Sequence, residues 1–250
     1  MLAAEREVSI EEYEANIPLY EHTASEIMGS MKADTVAGLA SMLKFSGTLA
    51  AKMRKMIYEF GYKNTGNSAI EAYTGVVFKA LDYDSLSEEG KAKCNNEIRI
   101  ISSLYGWLRP SDVIKPYRLD FTSRPDDGPS GGRTLNTFWR TDVTKALVKE
   151  LQKDNCREVL NLLPADAAKC IDWKLVKHFA RVWKADFKEI REGGVMKTPS
   201  AERLKALRGS LLRQILLEDI RDADSLRYTS SPKYVCEGTP VYPDHLQFLC

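Results

Sequence analysis

A chain of 250 residues that is 44% hydrophobic is long enough to bury a full core, at the upper end of single-domain size, so one domain over residues 1–250 is expected. With 28% charged residues and a net charge of +1, the chain is neither disordered by composition nor a strongly basic nucleic-acid protein, so any anion binding must come from local charge. No apolar run approaches the roughly 18–20 residues that cross a bilayer, and Glu5, Glu7, Glu11 and Glu12 are unlike a signal peptide, so a cytoplasmic protein without membrane contact is expected.

In chain order, Thr23 to Met31, Asp34 to Lys44 and Ser46 to Phe60 repeat apolar residues at spacings of three and four, which predicts helices, with Asp34 and Ser46 as N-caps. Gly61 and Asn64-Thr65-Gly66-Asn67 break that pattern. Ala69 to Phe78 is compatible with strand, turn or helix start. Ser87 to Tyr105 reads as one long helix, with Glu88 and Glu89 at its positive end and Arg109-Pro110 as its stop. Val113 to Phe121 reads as extended, Arg124 to Arg133 as a Pro/Gly/Asp-rich loop, and Thr137 to Asp154 as helix. Glu158 to Leu163 is a short apolar run that suits a buried strand, and Phe179 to Arg191 favours strand. Pro199 to Glu218 is an amphipathic helix, and the proline-bearing C-terminal segment reads as short strands and turns. The class is therefore α/β or α+β, with a mixed sheet flanked by helices.

The five cysteines, at 94, 156, 170, 236 and 250, are odd in number and widely spaced, which is neither a disulfide framework nor a zinc spacing. They read as reduced, mostly buried thiols. His22, His178 and His245 share no motif. No metal, cofactor or histidine-based triad is expected.

Two segments carry chemistry. On the Pro199–Glu218 helix, taking Leu204 as zero and advancing roughly 100° per residue, Leu207, Leu211 and Ile215 fall within about 60° of it. Arg208 falls inside that apolar stripe, Lys205 at its edge, and Arg213 points away. A guanidinium cannot shed its charge, so Arg208 needs either a core carboxylate or an anionic ligand. Between Lys197 and Arg213 stand five basic residues and one acid, Glu202. The second segment runs from Ser102 to Leu119 and includes Tyr105-Gly106-Trp107-Leu108-Arg109-Pro110-Ser111-Asp112. A glycine turn after a helix can offer backbone amides to a phosphate, with Arg109, Lys115 and Arg118 adding charge. It can equally be an ordinary helix end followed by an edge strand. Asp112 and Asp120 can pair with Arg109 and Arg118 or act as acid–base groups.

The strings Ala72-Tyr73-Thr74-Gly75, Tyr105-Gly106-x-Leu108-Arg109-Pro110-x-Asp112 and Pro116-Tyr117-Arg118-Leu119 resemble the YaaA family of bacterial peroxide-stress proteins. Phe138-Trp139, Asn161-Leu162 and Lys205-x-x-Arg208-Gly209 extend the resemblance over about residues 23 to 215. It implies a mixed α/β fold with a helix–hairpin–helix-like element, a positively charged cleft, duplex-DNA binding and a role in limiting iron-driven oxidative damage. By position it carries over Tyr73, Thr74, Arg109, Tyr117, Arg118, Lys205 and Arg208 as cleft residues. The chain lacks the family's opening Ser-Pro-Ala-Lys-Thr strand and its lysine, and has Leu163-Pro164 and Asp120-Phe121-Thr122 where the family has Ala-Ser and Glu-Met-Gly, the pattern of a divergent or N-terminally truncated member. The favoured partner is duplex DNA. The alternative is an enzyme acting on a nucleotide or another small phosphorylated metabolite.

Overall fold

The computed structural model describes residues 6–61, 65–125, 128–237 and 244–250. The elements run β1 (Arg6–Glu7), α1 (Ile10–Ala15), α2 (Glu21–Ser30), α3 (Val36–Leu43), α4 (Gly47–Glu59), β2 (Thr65–Ser68), α5 (Ala69–Ala72), α6 (Val76–Leu81) and α7 (Glu88–Glu97). There follow β3 (Ile100–Ser102), β4 (Gly106–Leu108), β5 (Val113–Ile114), α8 (Leu135–Lys153), β6 (Glu158–Asn161), α9 (Ala165–Ala168), α10 (Trp173–Val176), β7 (Arg181–Ile190) and β8 (Met196–Lys197). The chain closes with α11 (Ala201–Leu217), α12 (Ala223–Leu226), β9 (Ser230–Ser231), β10 (Tyr234–Glu237) and β11 (His245–Leu249). The mixed α/β class is as the sequence implies. The chain divides into two compact units, one of Met1–Thr74, Asn95–Ala146 and Leu163–Asp172, the other of Gly75–Cys94, Leu147–Leu162 and Trp173–Cys250.

In the first unit α2, α3 and α4 form from the predicted periodic runs. Ser46 caps α4 by accepting from the Leu49 amide. At α3 the cap is Thr35, one residue later than Asp34, because the Thr35 hydroxyl accepts from the Gly38 amide. Ile27, Leu39, Met53, Ile57 and Trp139 are buried. Strands β1, β2 and β5 form a small antiparallel sheet.

The long helix expected from Ser87 to Tyr105 does not form. Helix α7 ends at Glu97, and β3 and β4 pair as an antiparallel hairpin, with Ile100 opposite Leu108 and Ser102 opposite Gly106. The β-branched residues Ile98, Ile100 and Ile101 favour strand. The Ser102 hydroxyl turns the chain by accepting from the amides of Leu104 and Tyr105.

The second unit is built on a sheet of order β6-β7-β11-β10-β9, with β8 beside β7. β6, β7 and β11 are parallel, while β9 and β10 add antiparallel strands. One face carries Trp183, Phe187, Phe248 and Tyr234, against which Leu207 and Leu211 of α11 pack. Phe187 stacks on Phe248 at 5.1 Å, and Tyr234 meets Phe248 edge-on at 5.4 Å. Helix α11 also lies against α6 at Gly209, where an added Cβ would stand 2.1 Å from the Val77 carbonyl oxygen. Arg213 points away from the stripe that packs on the sheet, as the helical projection implies, and the face it occupies is covered by α6. It donates to the carbonyls of Leu81 and Asp82 at the end of α6, at 3.0 and 2.8 Å.

Candidate functional site

Tyr73 and Tyr117 meet in the first unit. Their hydroxyls are 2.7 Å apart, and the Tyr117 hydroxyl is 2.8 Å from Ser102 Oγ. Thr74 follows Tyr73 and is half-buried. The Tyr105 ring meets Tyr117 edge-on at 5.9 Å, and its hydroxyl accepts from the Lys115 amide at 3.0 Å. Burial pushes the phenols of Tyr73, Tyr105 and Tyr117 above their ordinary value of 10, so they act as neutral hydroxyls.

The glycine-containing string is held from within. Gly106 has φ +66, and a Cβ there would lie 2.7 Å from the Trp139 ring. The Trp139 indole donates to the Ser103 carbonyl at 2.9 Å. Arg109 Nε and Nη2 both reach Asp112 Oδ1 at 2.8 Å, and the Arg109 amide donates to Oδ2 at 2.8 Å. The carbonyls of Pro110 and Asp112 accept from Ile70 and Ala69 at the start of α5. Of the two roles open to Asp112 in sequence, the geometry shows the ion pair.

Lys115 is likewise committed. Its ammonium donates to the Phe60 carbonyl at 2.6 Å, at the C-terminus of α4, where a cation suits the helix dipole. Arg118 is exposed, 5.8 Å from the centre of the Phe45 ring, and forms no ion pair with Asp120 or another acid among the described residues.

On α11 in the second unit, Lys205 is exposed and Arg208 half-buried. Among the described residues two buried side-chain polar atoms lack a hydrogen-bond partner, Arg54 Nε and Arg208 Nε. Arg54 lies over the Tyr58 ring at 5.5 Å. Burial lowers the Arg208 pKa, an effect opposed by the charge of Asp186; the group nevertheless stays cationic at neutral pH. Arg208 therefore has no carboxylate in an ion pair among the described residues.

Sequence reasoning missed Ser102 as a bridge between tyrosine hydroxyls, and the Asp186–His245 pair. The Asp186 carboxylate contacts His245 Nδ1. No motif announces that pair, because only the parallel alignment of β7 and β11 joins residues 59 apart. Among the described residues no three His, Cys, Asp or Glu side chains gather to hold a metal, and no helix is long and apolar enough to cross a membrane. Burial pushes the thiols of Cys94 and Cys170 up to about 12 and that of Cys236 to about 11, so these three are unreactive thiols.

The fold and these groups define a mixed α/β protein with an internally clasped glycine turn, a part-buried tyrosine pair and a basic helix bearing an arginine that has no ion-paired acid among the described residues. The chain belongs to the peroxide stress protein YaaA family, whose model matches residues 3–239. It is 30% identical over 215 residues to a UPF0246 protein of Parabacteroides distasonis, covering 84% of this chain and 81% of that one. It is 30% identical over 232 residues to a UPF0246 protein of Shewanella woodyi, covering 90% and 87%. A UPF0246 protein of Clostridioides difficile is 25% identical over 222 residues, covering 89% and 86%.

Proposed function

We propose that this peroxide-stress family member binds duplex DNA through phosphate contacts from Lys205 and Arg208. The observation that carries the reading is Arg208, a half-buried guanidinium with no carboxylate paired to it among the described residues. Its surroundings in sequence are basic: residues 174–213 hold eleven lysines and arginines against four acids, although the whole chain is nearly neutral. A local concentration of this kind draws polyanions without a large net charge. Arg109 and Lys115 hold the fold in place, so they add little to the contact.

Binding of this kind weakens steeply with salt, because each neutralised phosphate releases condensed counterions, with a log–log slope of about −0.9 per phosphate. Fluorescence anisotropy of a short duplex across a salt series tests it. Absence of binding at the lowest salt, with the protein folded, would remove the reading.

A second reading, an enzyme acting on a nucleotide or other small phosphorylated metabolite, draws on the Asp186–His245 pair, since a carboxylate that orients an imidazole is the arrangement used by general bases. A thermal-shift series with nucleotides separates the two readings, because stabilisation by a nucleotide without duplex binding favours the enzyme.

A further inference from the structure

The sheet of the second unit carries α11 on one face, where Trp183, Ala185 and Phe187 of β7 meet Leu207 and Leu211. Alternate residues of a strand project to opposite faces, so Lys184, Asp186, Lys188 and Ile190 share the other face. Register carries that face sideways. Lys188 pairs with Leu249 of β11, Leu249 with Val235 of β10, and Ile190 with Met196 of β8. Side-chain contacts agree with the register, since Gln247 of β11 donates to Met196 Sδ at 3.6 Å and to the Glu237 carboxylate.

Apolar side chains stand in solvent on this second face. Ile190 is 57% exposed, Val235 55% and Met196 49%. Leu249, between Val235 and Lys188, is half-buried. Val182, nearer the start of β7, is buried, so the open area begins at Lys184. Exposed apolar side chains grouped on one face, rather than scattered singly, mark a surface that another macromolecule covers.

The charges on the face select the partner. Lys184 and Lys188 are matched in number by Asp186 and Glu237, so the face has no excess of either sign. A balanced surface does not draw a polyanion, unlike the basic α11 on the other side of the sheet. Neither Lys184 nor Glu237 forms an ion pair among the described residues. They stand on β7 and β10, the strands on either side of β11. A two-fold axis along β11, parallel to the sheet, lays β7 of one copy over β10 of another. The Lys184 edge of each copy then faces the Glu237 edge of the other. Leu249 meets its own counterpart on the axis, and Val235 covers the apolar stem of Lys188. The face is complementary to itself.

We propose that the open face of β7, β11 and β10 is the interface between two copies of this chain, packed sheet against sheet about a two-fold axis. Faces of this kind pack about 10 Å apart with interdigitated side chains. The strip is three strands wide, at about 4.8 Å per strand, so the contact belongs to the small, weak class of interfaces. A dissociation constant on the order of 10–100 μM follows. The interface leaves α11 uncovered in both copies, so it does not depend on the DNA reading.

Sedimentation equilibrium of the full chain, at loadings from about 5 to about 500 μM, should show reversible exchange between monomer and dimer. One substitution per chain appears twice in a two-fold interface, so Val235→Lys and Ile190→Lys should each weaken association about a hundredfold. Both residues are more than half exposed in the single chain, so the melting temperature should hold. Leu217→Lys, at an equally exposed apolar residue of α11, should leave association unchanged. Lys184→Glu should weaken the dimer, and combining it with Glu237→Lys should restore it, because the swap keeps the two edges complementary. A parent that stays monomeric at the highest loading overturns the proposal. So does a dimer that survives both lysine variants, responds equally to Leu217→Lys, or is not restored by the swap.

Discussion

The turn around Arg109 and the face of α11 around Arg208 both present arginines from motif-bearing strings, and the structure treats them oppositely. Arg109 is bonded to the buried Asp112, which also accepts the Arg109 amide, while the adjoining carbonyls cap α5. Arg208 has a desolvated Nε and no ion-paired acid among the described residues. A motif arginine is thus not by itself a ligand residue. What matters is whether the fold supplies a local counter-charge, since a paired guanidinium is already satisfied and an unpaired one is not.

The largest effect that would sharpen this comparison is steric. Gly209→Ala should cost about 3 kcal/mol in denaturant unfolding, because its Cβ would meet the Val77 carbonyl and force α11 and α6 apart. This separates the packing role of Gly209 from the charge of its neighbour Arg208. In the other region, Gly106→Ala should cost about 2 kcal/mol, through its left-handed backbone and the Trp139 ring.

Asp112→Ala should cost a similar amount, about 2 kcal/mol, by stranding Arg109 and one amide. Asp112 also gives a pH signature. Burial, opposed by its bonds to Arg109, holds its carboxyl above the ordinary 3.8. A raised native pKa favours the protonated folded form, so this contribution is full below about pH 4 and is lost as pH rises through the native pKa. The stability advantage of the parent over Asp112→Asn should therefore narrow as urea midpoints are followed upward from mildly acidic pH.

Arg208→Ala should change stability by no more than about 1 kcal/mol, since no ion pair is broken, yet weaken duplex binding about tenfold. A loss of several kcal/mol would show a hidden core pair and erase the contrast with Arg109. The smallest effect is expected at Tyr73→Phe, about 1 kcal/mol for one hydroxyl–hydroxyl bond to Tyr117.

Local signals were legible in the sequence. Periodicity located α2, α3, α4 and α11, and the Ser46 hydroxyl marked the start of α4. The helical projection correctly put Arg208 near the apolar stripe of α11, because that geometry is intrinsic to the helix. It also put Arg213 on the opposite side, but the α6 carbonyls that Arg213 bonds there come from a distant part of the chain and leave no local signal. The run from Ser87 to Tyr105 reads as continuous helix in sequence because the strand preference of Ile100 and Ile101 only wins once Leu108 and Trp107 are there to pair with them.

The sequence by itself determined the helical segments, the α/β class and the likeness to a peroxide-stress family, since these reside in residues close along the chain or in fixed strings. The tertiary structure alone decided which cations are spent and which remain. Tyr73 and Tyr117 are 44 residues apart, and Asp186 and His245 are 59 apart. Electrostatic and hydrogen-bond satisfaction depends on distance in space, which strand register and helix packing set and sequence spacing does not.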